Sequence, residues 1–157
     1  GDEIYSVISL MNMTKRGMSN QKIPEYHEVG IEVDRILAWS YSLLYRYFGK
    51  EITNKEESDK HNEAFFHKVY NQLGCELFDP VALATQHLAY GAMSSDSASG
   101  NQSASRAKQQ RQKARDLLVM ALGRDHPWVL NLFDPSDDHK EESDEVSPSI
   151  PSVKRQK

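Results

Sequence analysis

Leu122-Gly123-Arg124-Asp125-His126-Pro127 is a complete helix-to-helix junction in six residues. An amphipathic run with Ala114, Leu117, Leu118, Ala121 and Leu122 on one face leads into Gly123. Glycine permits the left-handed backbone that ends a helix. Pro127 then presets φ for the first turn of the next one. A looser copy lies 49 residues earlier, where Leu73-Gly74 leads, after two extra residues, into Asp79-Pro80. A chain punctuated this way is expected to fold as consecutive helices that turn back on one another. No alternating apolar and polar pattern argues for a strand anywhere.

Periodicity places the other elements. Ile4, Val7, Ile8 and Met11 predict a first helix over about 3–13, with residues 14–24 as a loop ending at Pro24. The second helix, about 26–48, is the most apolar segment. Ile36, Leu37, Tyr41, Leu44, Tyr45 and Phe48 make a wide stripe that Trp39, Leu43 and Tyr47 extend round the cylinder. A helix apolar over most of its circumference packs on several neighbours, so this one is expected to be central. Gly49 ends it, and 51–61 reads as a charged connection. A third helix is predicted over about 59–73, capped by Ser58 or Asn62 and ended by Gly74. A fourth runs from Asp79 as N-cap and Pro80 to about Met93. The Ser-rich stretch 94–105 reads as a flexible loop. A fifth helix covers about 104–122 and a short sixth about 127–133. The domain division is a helical body over 1–133 and a tail over 134–157. The tail has too little apolar surface to offset its chain entropy and is expected to be disordered.

The junction Leu122–Pro127 resembles the one between tetratricopeptide repeats of the kinesin-light-chain type, which read Leu-Gly, two residues, His-Pro. Leu73-Gly74 with Asp79-Pro80, the run Val81–Ala89, and Ala38–Lys50 resemble the same repeat more loosely, so the likeness covers about 35–133. It implies stacked helical hairpins that hold other proteins. The 49-residue period exceeds the ~34 of that class, and the insertion at 94–105 accounts for much of the excess. The fold class is thus all-α, either stacked hairpins or an irregular bundle of five to six helices.

Charge narrows the function. The net charge is −4, of which the tail carries −3, so the body is nearly neutral. That gives no global attraction to nucleic acid or acidic membrane. One cysteine, Cys75, excludes an intrachain disulfide and a multi-cysteine zinc site, and suits an intracellular setting in nucleus or cytoplasm, the nucleus favoured. No apolar run is long enough to span a bilayer, and Gly1 reads as a cleavage remnant. Cys75 has no evident base or orienting partner, and no Gly-x-Ser-x-Gly or phosphate-binding Gly-rich loop is present. His61, His67, Cys75 and His87 match no zinc spacing. Neither catalysis, cofactor nor metal is therefore expected.

Three binding features remain. In a stack of hairpins the first helix of each pair lines the concave face, which places Arg35, Trp39, Ser42, Gln86 and Tyr90 near a groove. The basic run Arg106, Lys108, Arg111, Lys113 and Arg115, with Arg124 beyond it, is either a solvated face or an anion-binding patch; it lacks the interleaved aromatics that stack bases. In the tail, Pro148-Ser-Ile-Pro151 has polyproline spacing, Ser147-Pro148 suits phosphorylation, and Lys154, Arg155 and Lys157 form a short basic end of the import-signal kind. The leading expectation is a non-enzymatic scaffold that binds a protein or peptide through apolar helix faces. The alternatives are a nucleic-acid-associated factor using 106–124 and an obligate homodimer through the 36–48 face.

Overall fold

A computed structural model describes residues 2–95 and 101–133. Among these residues the chain forms six α-helices and no strand: α1 (Asp2–Asn20), α2 (Glu28–Tyr47), α3 (Ile52–His67), α4 (Pro80–Ser95), α5 (Asn101–Leu122) and α6 (Pro127–Leu132). A π-helical turn, Lys68–Leu73, and a 3-10 turn, Cys75–Leu77, join α3 to α4. None of these helices is long and apolar enough to cross a membrane.

The helices pair in sequence. α1 lies antiparallel on α2 around Ile8, Val33, Leu37 and Leu44. α2 and α3 form a hairpin whose register is fixed by Ser58 Oγ donating to Ala38 O (2.8 Å) and by contacts of Asp34 with His61 and Lys68. α4 and α5 form a second hairpin around Ala84, Ala114 and Leu118, closed by Val129 of α6 and by Phe133, which follows it. Ile31, Phe65, Val69 and Leu83 bury together where the two hairpins meet. As expected from its apolar girth, α2 is central: it packs on α1, α3 and α4.

The turns follow the sequence signals. Gly123 has φ +96°, a conformation costly for any residue with a Cβ, and its N–H donates to Val119 O at 2.8 Å. His126 then caps α6 by accepting from Trp128 N through Nδ1 (3.1 Å). Asp79 Oδ1 caps α4 through Val81 N (3.1 Å), and His27 Nδ1 caps α2 through Val29 N (3.2 Å). Gly30 serves a different need. A Cβ there would sit 2.5 Å from Glu25 O, so the chain can fold back over the start of α2 only without a side chain.

Three boundaries differ from the sequence reading. Helix α1 runs to Asn20, through most of the expected loop 14–24, because Met18 is buried and Lys15 reaches Asp34. Helix α3 begins at Ile52, so the expected connection 51–61 is mostly helix. Its inner face is polar (Lys55, Ser58, His61 and Asn62 are buried), and no apolar period betrayed it. Helices α4 and α5 extend to Ser95 and from Asn101, into the stretch expected as a loop. The tail 134–157, with the expected import signal at Lys154, Arg155 and Lys157, lies outside the described residues.

The most consequential buried group is Asp34, 0% exposed in the middle of α2. Its carboxylate accepts from His61 Nδ1 (3.0 Å), from Lys15 Nζ (3.2 Å) and from Lys68 Nζ. Burial pushes its pKa up. The hydrogen bonds from His61 and Lys68 and the charges of Lys68 and Lys15 outweigh that and hold it at about 2. His87, buried between α3 and α5, is pushed down to about 4 by burial, against the opposing bond to Gln110.

Both shifts favour acid unfolding. A depressed histidine pKa contributes stability above its unfolded value of 6.5 that is lost as pH falls toward 4. A depressed carboxylate pKa does the same between 3.8 and about 2. Urea titrations should therefore show stability declining in two windows, with Asp34 accounting for about 2 kcal/mol in the lower one. The upper decline should shrink in His87→Asn. Asp34→Asn at neutral pH should cost about 3–5 kcal/mol, because Lys68 is left buried and uncompensated. Lys15→Ala, at an ammonium that is 40% exposed, should cost less than about 1 kcal/mol. Equal losses for Asp34→Asn and Lys15→Ala would contradict this assignment.

Candidate functional site

Trp39, Leu43 and Tyr47 recur every four residues along α2, so they stack on one face of the helix. They are 38%, 36% and 69% exposed, and Phe48 beside them is also exposed. Ile36 adds a half-buried aliphatic step to the same face. Arg35 continues the face toward the start of α2, its guanidinium paired with Glu32 Oε1 (2.7 Å from Nη2, 3.0 Å from Nε). The result is an apolar ridge with an ion pair at one end.

The ridge is anchored from below. Trp39 Nε1 donates to Gln86 Oε1 of α4 (3.0 Å), and Gln86 Nε2 donates to Asn62 Oδ1 of α3 (2.7 Å). Gln86 and Asn62 are almost fully buried. This chain of donors and acceptors crosses from α2 through α4 to α3, so it fixes the indole and joins the two hairpins with one set of bonds. Ser42 Oγ donates to Trp39 O (2.8 Å) and adds a further local tie.

Behind the ridge lies a layer of aromatic rings. His87 stacks on Phe66 with centroids 4.1 Å apart. Its Nε2 accepts from Tyr70 OH (3.0 Å), and its Nδ1–H donates to Gln110 Oε1 (2.7 Å), which assigns the tautomer. Burial raises the Tyr70 phenol to about 12, so it stays a donor. Tyr90 OH donates to Glu63 Oε2 (2.9 Å), and the Arg106 guanidinium lies 5.9 Å from the Tyr90 ring centre. Burial and the Glu63 carboxylate both raise the Tyr90 phenol further. Every member has a partner, so the layer is a structural joint with no group left over for chemistry.

Of the five residues expected along a groove, Trp39 and Gln86 are in direct contact. Ser42, Gln86 and Tyr90 are buried, however, so only Arg35 and Trp39 offer surface. The correction has a simple cause. These polar side chains turn inward because each finds a hydrogen-bond partner there. Leu43 and Tyr47, placed only in the apolar girdle of α2, join Trp39 on the exposed ridge, and Tyr47 is its most exposed member.

The basic run does not make one patch. Lys108, Arg111 and Arg115 share one face of α5 at i, i+3, i+7; Arg106 and Lys113 lie on another, seven residues apart, and Arg124 is in the turn beyond. Nor do the ligand-type residues assemble. His61 serves Asp34, His87 serves Gln110 and Tyr70, His67 Nδ1 meets Asn71 (2.9 Å), and Cys75 is exposed. No group of three or more His, Cys, Asp or Glu among the described residues is placed to hold a metal ion. Comparisons with family models, curated proteins and solved structures found no match to this chain.

Gln86→Leu leaves Trp39 Nε1 and Asn62 Oδ1 without partners and should cost about 1–3 kcal/mol. In a Trp128→Phe background it should also shift the emission of Trp39 to longer wavelength as the indole is released to water. Unchanged emission and stability would show that the Gln86 bridge does not hold the ridge.

Proposed function

We propose that this chain is a protein-interaction module whose contact surface is the α2 ridge, and that it performs no catalysis. The observation that carries this reading is the exposed run Trp39, Leu43, Tyr47 with its indole bonded to a buried glutamine. An apolar face this continuous costs solubility unless something covers it. Tryptophan and tyrosine are the residues most often found at the energetic centre of protein interfaces. An indole already fixed by a hydrogen bond loses little further freedom on binding, which favours affinity. The fitting partner is an apolar helix or extended peptide with a basic residue near Glu32 or an acidic one near Arg35.

The succession of hairpins α2–α3 and α4–α5, with α6 starting after a Gly and a His-Pro, supports a tetratricopeptide-like reading of the architecture. In that reading α2 and α4 are the inner helices of successive repeats, and the Trp39–Gln86 bond ties them together. Arrays of this kind bind through such helices. A scaffold role in a larger complex follows from the reading, and the single cysteine suits a nuclear or cytoplasmic site of action.

Leu43→Asp and Tyr47→Asp change only exposed positions, so the free energy of unfolding should change by no more than about 0.5 kcal/mol. Quantitative affinity capture from the source cells should then lose a defined set of proteins by a factor of ten or more, the size of an interface hot spot at about 2 kcal/mol. If the captured set is unchanged, the ridge is not the contact surface. If the full chain is a dimer by light scattering and the double variant a monomer, the ridge instead joins two copies.

A further inference from the structure

The ridge changes charge along its length. Glu28 and Glu32 stand at its start, Trp39 and Leu43 at its middle and Arg46 at its end. At about 3.6 residues per turn these five side chains fall within a strip roughly 60° wide. Val29 and Tyr47, both exposed, share a line beside that strip, since their separation is five whole turns.

The two ends carry unused hydrogen-bonding capacity of opposite kinds. Among the described residues Arg46 Nε is buried and has no hydrogen-bond partner. An orphaned guanidinium N–H is costly, and turning the side chain toward an incoming carboxylate would recover that loss. Glu32 is 44% exposed and takes both bonds from Arg35 on Oε1, so its carboxylate has room for a second guanidinium.

Trp39 is the midpoint between them. Glu32 and Arg46 each lie seven residues from it, about 10 Å along the axis in opposite directions. A two-fold axis beside Trp39, at right angles to α2, brings up a second α2 antiparallel to the first. Each Glu32 then stands at the level of the other copy's Arg46. Each Leu43 stands at the level of Arg35, whose aliphatic stem can cover it, and each Tyr47 falls beside Val29. The surface is thus complementary to itself, which a closed two-fold interface requires. Parallel pairing would instead set Glu32 on Glu32 and Arg46 on Arg46.

We propose that the ridge binds a second copy of this chain, with α2 lying antiparallel on α2 across Trp39 and Glu32 of each copy paired to Arg46 of the other. The apolar middle supplies the attraction and the two end pairs fix the direction. This rests on the ridge being the contact surface and names its occupant.

Sedimentation equilibrium of the full chain at low salt should give about twice the chain mass. Glu32→Arg and Arg46→Glu each set like charges opposite one another and should weaken self-association at least about tenfold. An equimolar mixture of the two variants should restore the dimer, because each copy then supplies the charge that the other needs. Leu43→Asp should abolish it. Should Arg46→Glu lose helicity, Arg46→Gln takes its place and should weaken association by a smaller factor; no change would overturn the pairing. A monomer at every concentration would overturn the proposal and leave the ridge to a different protein, which affinity capture with the Leu43→Asp control detects separately. A dimer that both charge reversals leave intact, or that the mixture fails to restore, would also overturn it. A dimer that survives Leu43→Asp as well would remove the ridge as the contact surface.

Discussion

Asp34 is a negative charge with no exposed surface, and three elements bring partners to it. Lys15 comes from α1, His61 from α3 and Lys68 from the π-turn, while Asp34 itself sits on α2. Burying a carboxylate is expensive, and only a complete set of partners offsets that cost. Displacing α1 or α3 along α2 would separate these partners and strand this charge. The network therefore ties the register of three helices, and the stability of their packing, to the satisfaction of one charge. The π-turn belongs to the same constraint. It begins at Lys68, and its closing bond, Gly74 N to Val69 O (2.9 Å), shifts the chain off α-helical geometry just after that lysine is committed.

The second hairpin depends on the first through softer ties. Phe65 meets Phe66 and Phe78 edge to face, with centroids 5.2 and 5.5 Å apart, at the place where Leu83 enters from α4. The Trp39–Gln86–Asn62 chain and the His87 layer add directional bonds to that apolar contact. Each such bond has a modest net worth, but leaving any member unpaired in the interior would be costly. The consequence for function is a firm platform. Because α2 is held on three sides, the ridge on its fourth side has fixed spacing and direction.

How much of this could be read from the residues depended on which interactions were local. The turns were legible: Gly123, His126-Pro127 and Asp79-Pro80 act within a few residues of themselves, and each ends or starts a helix as expected. The central place of α2 was legible too, because apolar girth requires several neighbours. The first half of α3 was not. Lys55, Ser58, His61 and Asn62 form its inner face, and a buried polar face has no apolar period to detect. Asp34 was the available clue. A charge between Val33 and Leu37 on a core-facing stripe demands partners, and His61 and Lys68 were the candidates downstream. The expected groove residues mixed surface with interior for a related reason. Whether Gln86 or Tyr90 turns inward depends on finding Asn62 or Glu63, contacts across more than 20 positions in sequence.

Native-state hydrogen exchange of the full chain tests the central claim most directly, namely that the Asp34 network sets the stability of the body that carries the ridge. Amides of α2 from Asp34 to Tyr45 and of α3 from Ser58 to Phe65 should exchange slowest and share one opening free energy equal to that of global unfolding. Helices α1 and α6, each attached along one side, should open at lower free energy. The account is contradicted if α4 and α5 hold the slowest amides while Asp34 and its neighbours exchange by local opening.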